Sequence, residues 1–170
     1  MLARNATIFK WTLYALAALA CLLFQGAVLQ RVSLWGVMPF LCPLVAALPA
    51  AWEAPAAGTA FALAVGVACD LSLPAPIPCF YTLIFPLAGL LSSLLSHSLL
   101  RPGCLCSLAC AAIAFALTDG FACFVLWSRG KAAWEAGALL ALREFCVTLP
   151  WSLPLTALFA AVFRRTHPDD

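Results

Sequence analysis

Six apolar stretches, at about residues 11–29, 34–51, 55–73, 77–100, 104–127 and 138–163, follow one another with only short polar breaks between them. Each comes close to the roughly 20 residues that an α-helix needs to cross the ~30 Å hydrocarbon core of a bilayer. Only 9% of the 170 residues are charged, while 65% are hydrophobic, and a soluble fold of this size cannot build a polar shell from so few ionic groups. The bilayer must therefore be the solvent. A chain of mean hydropathy +1.05 is expected to form one all-α, polytopic transmembrane bundle of about six helices over residues 1–170, with no second domain.

The punctuation agrees with these boundaries. Trp11, Trp35, Trp52, Trp127 and Trp134 fall near block ends, where an aromatic belt belongs. Pro39, Pro43 and Pro49 make the second block the least regular crossing, kinked or partly unwound unless neighbours satisfy its freed carbonyls. Pro74, Pro76 and Pro78 form a stiff extended turn between the third and fourth blocks. Ala20-Cys21 faintly resembles a lipoprotein cleavage site, but Leu22, Leu23 and Phe24 continue the apolar run, so the first block reads as a membrane helix. Six crossings put both termini on one side, together with Arg4, Lys10, Arg101, Arg164 and Arg165. Arg31, Arg129 and Lys131 fall opposite, and the positive-inside rule then places the termini in the cytoplasm.

Several function classes are set aside by residue chemistry. The nine Lys and Arg residues are dispersed and make no basic stripe of the kind that tracks nucleic acid. Cys21, Cys42, Cys69, Cys79, Cys110, Cys123 and Cys146 lie inside apolar runs and act as small hydrophobes. Cys104, Cys106 and Cys110 lack His or acidic neighbours and zinc-site spacing, so no metal is expected. Ser92, Ser93, Ser96 and Ser98 are distributed as helix-packing hydroxyls, and His97 reads as a solvated interfacial residue. No nucleophile with a base, phosphate loop or HExxH motif is present, so neither catalysis nor a cofactor is indicated. An aspartyl pair of Asp70 and Asp119 sharing a proton is the one catalytic arrangement that can be written, and depth alone is too little to support it.

The third block is the most informative. Ala56, Ala60, Ala64 and Ala68 form one row at i+4 spacing, and Gly58, Ala62, Gly66 and Asp70 form another on the nearly opposite face. Small residues let helix backbones approach closely in lipid, so this helix is expected at the bundle centre with both rows packed. Counting depth along alternating crossings brings Asp70, Asp119, Arg143 and Glu144 toward one end. A charge within hydrocarbon needs a partner or water, so Arg143 is expected to meet Asp70 or Asp119 across helices. These four form the candidate polar cluster. The competing reading has Asp70 closing a loop and Arg143 and Glu144 preceding a shorter sixth helix that starts near Phe145.

The segment from Gly58 through Gly66 to Asp70 resembles the glycine-spaced third helix, ending in Asp, of the bacterial rod shape-determining protein MreD family. Phe80-Tyr81, Gly89-Leu90-Leu91 and the proline-bearing last helix ending at Arg164 and Arg165 are similar to that family too. Pro76-Ile77-Pro78-Cys79 stands where the family commonly has a glycine. The resemblance implies a non-catalytic scaffold in the bacterial cytoplasmic membrane. Its implied partners are an MreC-like bitopic protein and cell-wall synthesis proteins, and its implied role is in the cell-elongation machinery and peptidoglycan synthesis. MreD-like proteins also look like the six-helix S-components of energy-coupling factor transporters. That likeness implies the alternative, a small-molecule pocket for a vitamin or similar micronutrient lined by the same polar cluster. The alanines of this first helix, at 15, 17, 18 and 20, lack the spacing by four that S-components usually use for docking.

Overall fold

The structure, a computed structural model, describes residues 2–100, 103–131 and 133–166, with side chains from Thr7 onward. Arg101, the side chain of Arg4 and the tail from His167 to Asp170 lie outside the described residues. The described chain is helical, with no strand beyond an isolated pairing of Leu34 with Val37. The helices are α1 (Leu2–Ala27), α2 (Cys42–Trp52), α3 (Pro55–Ser72), α4 (Phe80–Ser98), α5 (Cys104–Ser128), α6 (Trp134–Thr148) and α7 (Ser152–Thr166). A 3-10 turn at Leu149–Trp151 joins α6 to α7, placed by Pro150, which has no N–H to continue the α-helical ladder. Five helical stretches are long and apolar enough to span a membrane, the last being the continuous run Trp134–Thr166. The chain is thus a multi-pass membrane protein by the length and composition of its helices.

Three boundaries differ from the sequence expectation, the last block first: expected as one helix over about 138–163, it starts at Trp134 and is divided by the turn at Leu149–Trp151. α1 begins nine residues before the apolar block does, because its first turns, which mix Arg4, Asn5, Thr7 and Lys10 with apolar residues, are helical too. The second block is not a helix from residue 34. Leu34 and Val37 exchange backbone bonds of 2.9 and 3.1 Å around Trp35 and Gly36, both at positive φ, and helix starts only at Cys42. Pro43 sits in the first turn of α2, where its missing N–H costs nothing, and the residues before Pro39 and Pro43 are biased away from helix.

An 11-residue helix rises only about 16 Å, half a bilayer. Both ends of the segment are fastened to α1. At one end Lys10 Nζ meets Glu53 Oε2 at 2.6 Å, with the carboxylate 5% exposed. At the other, the buried Gln25 donates from Nε2 to the Pro39 carbonyl at 2.9 Å and accepts from the Leu41 amide at 2.7 Å. Along α1 these ties lie about 22 Å apart at 1.5 Å per residue, so the residues ahead of Cys42 lengthen the segment beyond α2 itself. Free backbone groups at that depth are tolerated only inside protein, and Gln25 satisfies two of them.

α2 rather than α3 is the centre of the bundle. Ten of its eleven residues are buried, and α1, α3, α4, α5 and α7 all pack on it. α3 packs with only one of its rows: Gly58, Ala62 and Gly66 are buried, whereas Ala56, Ala60 and Ala64 are not. A Cβ on Gly58 would come 2.7 Å from Ala50 Cα, one on Gly66 2.6 Å from the Tyr81 carbonyl oxygen, and one on Gly89 2.7 Å from Ala62 Cβ. Those three glycines let α2, α3 and α4 meet at backbone distance, where dispersion is strongest and lipid offers no competing contact. An aromatic group of Trp11, Tyr14, Phe61 and Phe159 ties α1 to α3 and α7. Trp52 packs on Phe163 at the Glu53 end, so both described ends of the chain lie there.

Candidate functional site

Asp70 sits in the last turn of α3 and works on α4. Its Oδ1 accepts from the Tyr81 amide at 3.1 Å, and its Oδ2 accepts from the Thr82 amide at 2.8 Å and from Thr82 Oγ1 at 2.5 Å. Cys79, which precedes α4, is at φ 57° and makes no side-chain cap. The carboxylate therefore caps α4 from a neighbouring helix, where negative charge also favours the positive end of the helix dipole. Gly66 touches the same two residues one turn earlier. The two devices together fix where α4 begins relative to α3.

Asp119 stands on α5 and Glu144 on α6, two helices that pack together. Glu144 is near enough to act electrostatically on Asp119, and Glu144 and Asp70 both act on Tyr81. Arg143 does not join them. It is exposed, and the Lys10–Glu53 bridge is the only ion pair among the described residues, so the expected pairing of Arg143 with Asp70 or Asp119 is not made within the chain. The reason is geometric: neighbouring residues on a helix point about 100° apart, and Glu144 takes the inward direction. Phe145 is not a helix start either, since α6 begins at Trp134.

Asp119 lines a groove of about 320 Å³ that opens between α5 and α6. Small residues make its floor, with Ala112, Ala116 and Gly120 from α5 and Ala138 and Ala141 from α6, while Phe115, Phe145 and Trp134 close its ends. The Asp119 Oδ2 atom is buried and meets no hydrogen-bond partner among the described residues. A second recess, of about 300 Å³, lies between Asp70 and the loop from Leu73 to Cys79, but both Asp70 oxygens are already committed to α4.

Two polar features escape the sequence reading. Glu53 holds Lys10 at the opposite end of the bundle, and its carbonyl oxygen accepts from Ser93 Oγ at 3.2 Å and lies 3.2 Å from His97 Nε2. His97 is therefore attached to the α2–α3 corner. The available signal was that Glu53 is the only acidic residue at that end before the terminal Asp169 and Asp170. Gln25 is the other, a lone amide inside an apolar helix, which in lipid must find partners. Cys106 and Cys110 lie with their sulfurs 3.9 Å apart, and Cys110 reaches the Ser92 carbonyl. They pack helix on helix, and no group of three potential metal ligands gathers among the described residues.

The arrangement is one of fastened helix ends, with Asp70 on α4, Glu53 on Lys10 and Gln25 on the chain ahead of α2, around a close-packed centre. No protein-family model matches the chain, and no curated protein or solved structure matches it.

Proposed function

We propose that this chain is an MreD-like scaffold of the bacterial cell-elongation machinery, which helps control cell shape and peptidoglycan synthesis by binding partner membrane proteins through its helix faces. The observation that carries the reading is the mutual contact of the residues that resemble that family. Gly66 meets Tyr81 and Thr82, Asp70 caps the same turn, and Ala62 meets Gly89. A motif whose parts hold one another in place favours a rigid frame. The unburied row of Ala56, Ala60 and Ala64 on α3 is the kind of small-residue face on which a partner helix docks. An MreC-like bitopic protein is the proposed partner, in the cytoplasmic membrane with both termini inside.

The test is a mild-detergent pull-down of the tagged full chain from its native membrane, with mass spectrometry of co-purifying proteins and of released small molecules. Recovery of an MreC-like protein or cell-wall synthases, without stoichiometric ligand, is expected. Recovery of a coupling ATPase or a bound micronutrient would replace the scaffold with the transporter S-component reading.

A further inference from the structure

Asp119 and Arg143, of opposite charge, are among the side chains of the α5–α6 hairpin that have no ionic partner among the described residues. Ring contacts of Trp127 with Trp134 and of Phe115 with Phe145 set the register of these antiparallel helices. Asp119 lies nine residues before the end of α5, and Arg143 lies nine residues after the start of α6. At 1.5 Å per residue each is about 13 Å below the tryptophan pair that marks the interface. The two charges therefore sit at one depth, well inside the apolar span. Asp119 lines the groove with an oxygen that has no hydrogen-bond partner among the described residues, and Arg143 is exposed on the neighbouring helix.

The surfaces around the two charges are complementary in shape. On α5, Ala112, Ala116 and Gly120 are exposed in one i+4 row, and nothing lies within 4 Å of where a Gly120 Cβ would be. On α6, Leu139, Leu142, Arg143 and Cys146 form an i, i+3, i+4, i+7 stripe that is exposed throughout, with Leu139 and Leu142 at 51% and 59%. A flat small-residue row beside a knobbed stripe is what close helix packing in lipid requires.

We infer that the chain forms a two-fold dimer in the membrane, in which the α6 stripe of each copy seats in the α5–α6 groove of the other. Arg143 of one copy pairs with Asp119 of its partner. A two-fold axis along the membrane normal preserves depth, so residues at one depth meet across it, and the isologous interface makes the ion pair twice. Neither charge then faces hydrocarbon. This inference stands apart from the scaffold reading, since a dimer is compatible with either function.

The experiment uses the full chain in lipid bilayers at graded dilution, with dimer fraction read by single-molecule photobleaching. Asp119→Arg and Arg143→Asp are each expected to weaken self-association by at least about tenfold, the scale for removing one partner of a desolvated charge pair. Mixing the two variants should restore dimers. One copy then presents a cation at both pairing positions and the other an anion at both, so opposite charges meet twice across the mixed interface. That rescue also establishes that both variants fold. In a separate measurement free of charge changes, a photo-crosslinking residue at Leu139 is expected to mark Ala112, Ala116 or Gly120 of a second copy. A wild-type chain that stays monomeric, a dimer that neither variant weakens, or a crosslink only to lipid or to a different protein would overturn the proposal.

Discussion

Gly66→Ala tests the central packing argument most directly. The added Cβ would lie 2.6 Å from the Tyr81 carbonyl oxygen and 3.0 Å from Thr82 Cα. Both obstacles are backbone, so no rotamer change relieves them. Ordinary contact begins near 3.4 Å, so α3 and α4 must part by roughly 0.8 Å in an interior with no slack. Overpacking of this kind costs about 1–3 kcal/mol. The same movement stretches the Asp70 bonds to the Tyr81 and Thr82 amides, now 3.1 and 2.8 Å, and losing one charge-assisted bond costs about 1.5–3 kcal/mol. Helix propensity returns about 1 kcal/mol when Gly becomes Ala. The net expectation is a loss of about 1.5–5 kcal/mol. Gly120→Ala is the matched control, since its new methyl meets nothing within 4 Å and should stabilise by up to about 1 kcal/mol. Both variants would be unfolded reversibly in mixed micelles, in a detergent that keeps the chain monomeric. Equal stability of the two, within about 0.5 kcal/mol, would refute the claim that backbone contact through Gly66 holds α3 on α4.

Lys10→Met strands the buried Glu53 carboxylate and should cost about 3–5 kcal/mol, with most of the loss recovered in the Lys10→Met, Glu53→Gln double variant; unfolding midpoints of the three chains decide it. Gln25→Leu leaves the Pro39 carbonyl and the Leu41 amide without their partner, which should destabilise by about 1–3 kcal/mol and speed hydrogen exchange at Leu41 while leaving α5 unchanged. Trp35→Asn relieves a tryptophan held at φ 55° beside Gly36 in a two-residue turn that favours Asn-Gly. It should raise stability by about 1 kcal/mol, and a fall in unfolding midpoint would mean that the exposed indole contributes more as a membrane anchor than its backbone strain costs.

The long helices were legible because their signal is summed over about twenty residues: α3, α4 and α5 begin and end within three residues of the hydropathy blocks. The second block misled because hydropathy does not distinguish a buried helix from buried extended chain, and residues 38–41 owe their conformation to Gln25, a residue in another element. In α3 both rows are small, and pattern alone left both available for packing. Glycine decided it, since only the row with Gly58 and Gly66 can meet the backbones of Ala50 and Tyr81. A shared depth for Asp70, Asp119, Arg143 and Glu144 could be counted from the sequence. Pairing could not, because it depends on which way α6 is rotated, and that is set by α6 packing against α5 and by Thr148 accepting from the Phe40 amide at 3.0 Å.

The burial of α2 bears on how this chain enters a membrane at all. A segment whose helix rises about 16 Å, with its preceding turn unable to satisfy its own amides, has no stable place alone in lipid. It cannot leave a translocon sideways as an independent span. α1 carries the Gln25 amide and the Lys10 ammonium that receive the two ends of α2, and α3 and α4 supply the walls. Biogenesis is therefore expected to be delayed and collective: α1 waits at the exit until α3 and α4 are made, and α2 is carried in between them as cargo of the helices that follow it.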